Sequence, residues 1–148
     1  MNDTQTSAPA LTITRTFDAP RERVFNAFTD ADLIRQWFGP PGTNVSAVTF
    51  DARTGGRFRV LMKNSTGEDF NAHGVIAEFR APERLAYTFA WEEDDPKDEH
   101  ETFVTVDFVE RGNRTDIVFT QERFVSVESR DGHTKGWNGS FGKLDALL

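Results

Sequence analysis

Leu85 to Trp91 reads LAYTFAW, with Leu85, Tyr87, Phe89 and Trp91 at alternate positions and small or polar residues between them. A period of two is the mark of a strand with one face against a core. Working outward, the same period appears in Phe58, Val60 and Met62, and before them in Val48 and Phe50. From Val45 to Phe124 the pattern predicts six strands. The breaks between them carry turn chemistry: Thr54-Gly55-Gly56, Asn64-Ser65-Thr66-Gly67, Ala81-Pro82-Glu83, Glu92 to Glu101, and Arg111-Gly112-Asn113. Strands joined by short turns pair antiparallel, as a meander. The run EEDDPKDEHE from Glu92 to Glu101 predicts a mobile acidic loop, because its charges repel and Pro96 blocks pairing.

The flanks change period. Leu11 to Phe17 (LTITRTF) alternates and predicts a first strand. Asp18-Ala19-Pro20 predicts a cap, with Pro20 in the first turn of a helix to Phe28 that puts Val24, Phe25 and Phe28 on one face. Thr29-Asp30 offers a second cap for a short helix carrying Leu33, Ile34 and Trp37, which Gly39-Pro40-Pro41-Gly42 stops. From Ser126 or Ser129 to Leu148 helical spacing returns, with Trp137, Phe141, Leu144 and Leu148 on one stripe.

Strand, two short helices, six strands and a long helix leave no room for parallel βαβ packing, since only one crossover exists. The chain is therefore expected to be α+β, a helix-grip in which a seven-stranded curved antiparallel sheet wraps the C-terminal helix. One domain over residues 11–148 follows a flexible tail over 1–10. The 148 residues, 37% of them hydrophobic and 28% charged, suit a single core. A net charge of -7 opposes nucleic acid and anionic membranes as partners. With no cysteine there is neither a disulfide nor a thiolate site. Met1 to Pro9 carries no secretion signal and no segment is apolar enough to span a bilayer, so cytoplasmic residence is expected.

Four segments carry a resemblance. Phe17-Asp18-Ala19-Pro20-Arg21-Glu22-Arg23-Val24-Phe25, Leu33-Ile34-Arg35-Gln36-Trp37-Phe38-Gly39-Pro40, Asp51-Ala52-Arg53-Thr54-Gly55-Gly56-Arg57-Phe58 and Gly136-Trp137 occur in that order. Together they resemble the SRPBCC (START/birch-pollen-allergen-like, helix-grip) superfamily, in the branch named after the activator of the heat-shock-protein ATPase. The resemblance covers residues 11–148 and implies the fold, while members range from lipid carriers to cyclases and co-chaperones. Where the family often has a His-Glu-Gly run this chain has Gln121-Glu122-Arg123, so a role for that histidine does not transfer.

An aromatic-lined cavity between sheet and terminal helix is expected. Its candidate lining is Trp37, Phe38, Phe50, Phe58, Val60 and His73 from the first part of the chain, then Phe89, Trp91, Phe119, Gln121, Trp137 and Phe141. Trp37 and Phe38 are either core or cavity mouth. Gly136, Gly139 and Gly142 either admit the sheet or open volume for a ligand, since each costs a helix about 1 kcal/mol. His73, His100 and His133 are far apart and lack metal-ligand spacing, so no metal and no cofactor are expected. Arg57, Arg59, Glu78 and Asp107 sit on strands, either as an inward charged pair or on solvated faces. No nucleophile triad, phosphate loop or dinucleotide fingerprint is present. The residues thus favour binding of a small hydrophobic or amphipathic molecule over two alternatives: a co-chaperone-like domain with a chaperone partner, and a cyclase or hydrolase using the same cavity. An exposed sheet edge could also support a homodimer.

Overall fold

The computed structural model describes residues 8–148. The expected flexible tail therefore lies largely outside the described residues, and at its end the Pro9 carbonyl already accepts the Phe124 amide at 3.2 Å. Seven strands form one antiparallel sheet: β1 (Leu11–Phe17), β2 (Asn44–Phe50), β3 (Arg57–Lys63), β4 (Ala72–Arg80), β5 (Arg84–Trp91), β6 (Thr102–Arg111) and β7 (Arg114–Glu122). Their order is β1-β7-β6-β5-β4-β3-β2. The meander predicted from period two is thus continuous, and β1 adds to β7 with Leu11 opposite Gln121 and Phe17 opposite Thr115.

Because β1 and β2 occupy opposite edges, the chain between them must cross the sheet. It does so as two short helices, α1 (Arg21–Thr29) and α2 (Ala31–Trp37). Asp30 caps α2, accepting the Asp32 and Leu33 amides at 2.9 and 3.3 Å. The expected cap for α1 differs: Pro20 occupies the cap position without a side-chain bond, and exposed Asp18 instead lies 3.5 Å from Arg114. The Trp37 indole N–H donates to the Ala27 carbonyl at 2.8 Å and ties α2 to α1.

The terminal helix, α3 (Val127–Leu147), starts where the Ser126 hydroxyl accepts the Ser129 amide at 3.0 Å. It buries Trp137, Phe141 and Leu144 of the predicted stripe together with Ser140, while Leu148 caps the helix and is only partly buried. Phe89 and Trp91 face this helix: Phe89 meets the Trp137 ring at 5.9 Å and Trp91 meets His133 at 5.8 Å. Phe58 and Val60 are buried on the same sheet face, as alternation requires, but under α2 rather than α3. Across the acidic loop no strand forms. Pro96–Asp98 makes a short 3-10 turn capped by Asp95.

Gly74 in β4 has a steric role. A Cβ there would strike the Thr88 carbonyl oxygen and lie 2.6 Å from the Phe58 ring, and both are fixed by the sheet. Gly74→Ala should therefore destabilise the fold by about 2 kcal/mol, the cost of overpacking a filled interior. A urea midpoint equal to that of the unmodified protein would contradict this.

Candidate functional site

A cavity of about 300 Å³ opens between the first half of α3, β5 and the loop after α2. Its sheet-side wall is Phe89 and Trp91, set edge to face at 5.1 Å, with Phe70 from the β3–β4 turn 5.8 Å from Trp91. Phe38 and Pro40 close another side, and Phe38 meets Trp137 edge-on at 5.4 Å. From α3 come Glu128, Ser129, Gly132, His133, Gly136, Trp137 and Ser140. The interior surface is mostly carbon, as sites for apolar ligands are.

The polar atoms in the wall are largely spoken for. Gln121, fully buried in β7, accepts the Trp137 indole N–H at 2.7 Å and donates to the Thr102 hydroxyl at 2.8 Å. Thr102 in turn donates to the Phe89 carbonyl at 3.0 Å. His133 is held the same way: Trp91 Nε1 donates to its Nε2 at 2.9 Å, and its Nδ1 lies 2.7 Å from the Ser129 carbonyl. A carbonyl only accepts, so Nδ1 carries the proton and Nε2 the lone pair. Burial among Phe89, Phe124 and Trp91 holds the imidazole below its ordinary 6.5, opposed by the bond to Ser129.

The expected lining separates into four groups. Phe38, Phe89, Trp91 and Trp137 line this cavity. Trp37, Phe50, Phe58 and Val60, again with Phe38, surround a void of only about 20 Å³, room for one water at most. Phe119, Gln121 and Phe141 are fully buried behind Trp137, with Phe119 and Phe141 ring-packed on it at 4.7 and 5.8 Å. His73 is a correction, because alternation in β4 turns it to the outer face, where Nε2 meets Glu99 at 2.7 Å. Arg59 is outside too, gripping Glu92 through Nε and Nη2 at 2.5 and 2.8 Å, a fork that holds the Glu92 carboxyl below its usual range. Glu78 and Asp107 share Arg84 on half-buried positions of the outer face, so no inward charged pair forms there.

The outer groove around Arg59, His73, Glu92 and Glu99 is roomier, about 430 Å³. Arg59 is paired with Glu92 and His73 meets Glu99 there, and Arg57 and Glu93 also line it, so this groove is polar and charged where the other cavity is apolar. Sequence reading missed Phe70 and the α3 residues Glu128, Ser129, Gly132, His133 and Ser140. The signal was there: 129, 132, 133, 136, 137 and 140 follow i, i+3, i+4, i+7, i+8, i+11. Apart from Trp137 that stripe is small or polar, and a search for hydrophobic periodicity passes over it. Among the described residues no cluster of three His, Asp or Glu is placed to hold a metal, and no helix is long and apolar enough to cross a membrane.

His133 links the site to pH. Its folded-state affinity for a proton is depressed, so the unfolded chain binds more protons as pH falls below about 6.5. The stability it contributes is present above that value and is lost as pH falls through the lower folded value. The melting temperature should fall as pH drops below about 6.5, and less steeply in His133→Gln, whose side-chain oxygen can still accept from Trp91. Parallel slopes for the two proteins would show that His133 does not titrate this way.

Known proteins agree with this architecture. The AHSA1 protein from Silicibacter pomeroyi superposes with a TM-score of 0.86 at 25% identity, covering 95% of this chain and 97% of that one. A Chromobacterium violaceum protein gives 0.84 at 24% identity over 95% and 97%. The solution structure of an Arthrobacter aurescens protein gives 0.82 at 23% over 95% and 86%. No curated protein matches the chain in sequence. The family described as "Activator of Hsp90 ATPase homolog 1-like protein" matches residues 18–148, which spans α1 to the end of α3, and the chain belongs to that family.

Proposed function

We propose that the protein reversibly binds a small apolar or amphipathic molecule in the cavity between α3 and β5, without chemical turnover. The observation that carries this reading is a half-open, apolar-walled cleft of about 300 Å³ between α3 and the sheet. Such a volume is at the small end of ligand sites and suits one or two fused rings. Two α3 glycines favour it: a Cβ on Gly132 or Gly136 would meet nothing within 4 Å, so both leave open space. Gly139, by contrast, serves close approach, since a Cβ there would lie 2.5 Å from Pro41 Cδ. It supports the loop that closes the cavity rather than the cavity itself.

The enzyme alternative needs a free acid or base beside the ligand. Of the titratable groups in the lining, His133 has one nitrogen on Ser129 and the other on Trp91, and Glu128 is exposed at the mouth, where water rather than a buried environment surrounds it. The family description brings in a co-chaperone-type reading, which no surface feature among the described residues supports as specifically as the cavity supports binding.

Naphthylmethanol, with about twelve non-hydrogen atoms, should bind at roughly 0.4 kcal/mol per atom, a dissociation constant of about 0.3 mM. Gly136→Leu should fill the space and abolish that binding. The same change should raise stability by up to about 0.8 kcal/mol, because leucine is the better helix former. Titration of tryptophan fluorescence, with melting curves of both proteins, reads the two effects together. A stabilised variant that binds as well as the unmodified protein would place the ligand elsewhere.

A further inference from the structure

The cavity wall is uneven in its hydrogen-bonding capacity. Both indole N–H groups are given to the protein, Trp91 to His133 at 2.9 Å and Trp137 to Gln121 at 2.7 Å. The His133 N–H goes to Ser129, and the Ser140 hydroxyl donates to the Gly136 carbonyl at 3.0 Å. No lysine or arginine lines the space. Lys143, further along α3, reaches toward the Phe38 carbonyl at 3.5 Å instead. The rest of the lining is the aromatic side chains Phe70, Phe89, Trp91 and Trp137, with Ser129 and exposed Glu128 from the first turn of α3 at the mouth. Among the described residues Glu128 has no ion-pair partner.

We infer that the site selects cationic amphiphiles, an aromatic or alkyl body carrying an ammonium group, over carboxylates of the same size. The inference rests on the cavity reading above and names its ligand class. An ammonium is attracted both by the aromatic faces and by Glu128 at the mouth. A ligand carboxylate finds no cationic partner in the wall and is repelled by Glu128 and by the net charge of -7. The positive N-terminal end of α3 does not reverse this, because Ser126 already caps it and Glu128 sits in its first turn. The half-open mouth keeps the ammonium partly hydrated, so the aromatic body supplies most of the affinity and the charge supplies the choice.

The test is a matched set of probes, naphthylmethylamine, naphthylmethanol and naphthoate, titrated by tryptophan fluorescence and calorimetry at about pH 7.5, where His133 is neutral. The amine should bind about tenfold more tightly than naphthoate. Glu128→Gln should weaken the amine about fivefold and leave the alcohol unchanged, while Glu128→Lys should reverse the order of amine and acid. Equal binding of amine and naphthoate, or an amine indifferent to both substitutions, overturns the charge selection while alcohol binding leaves the cavity reading standing. Failure of all three probes to bind overturns the cavity reading and this inference with it.

Discussion

The hydrogen bond from Trp137 to Gln121 is the constraint around which the rest is arranged. It joins α3 to β7, and through Thr102 and the Phe89 carbonyl it extends across β6 to β5. All four groups are buried, so losing one member would strand the others at about 1–3 kcal/mol each. The chain therefore fixes both the height and the rotation of the helix over the sheet. With the Trp137 ring locked, its one side packs on Phe119 and Phe141 and its other side becomes the floor of the cavity.

That fixed helix is not a strong helix by composition. Gly132, Gly136, Gly139 and Gly142 fall inside its 21 residues, each costing about 1 kcal/mol relative to alanine. The glycines do different things. Gly139 lets Pro41 approach, while Gly132 and Gly136 face empty space. A helix so weakened is held by tertiary packing, and the packing is concentrated in its second half, where Phe141 and Leu144 are fully buried. The first half spans the open volume, bridged to β5 by the bond between Trp91 and His133.

Charge is sorted by sheet face. Arg59 with Glu92 and His73 with Glu99 hold the outer surface, anchoring the acidic segment by its ends. On the inner side the Gln121 amide, the Thr102 and Ser140 hydroxyls and the His133 imidazole are all bonded within the protein, while Glu128 and Ser129 line the mouth of the cavity. Of these inner groups, Gln121 positions the helix over β7 and His133 positions it over β5, as well as backing or lining the cavity.

The alternation of Leu85, Tyr87, Phe89 and Trp91, the turn residues and the apolar stripe of α3 determined the strand count, the antiparallel meander and the long final helix. These are local periods, and each segment carries its own. The inward direction of Phe89 and Trp91 was also legible, because one face of the sheet had to be buried. Which aromatic rings enclose a ligand-sized space was not. Phe58 and Phe89 have the same pattern, yet the first is covered by α2 and the second is left beside the glycine face of α3. His73 and His133 are equally plain in the sequence, and strand register put one outside while helix rotation put the other in the wall. Those outcomes depend on how far apart two packed elements stand and how each is rotated. Only the long-range contacts of Trp137, Gln121 and Pro41 set those distances, and no window of sequence contains both sides of any of them.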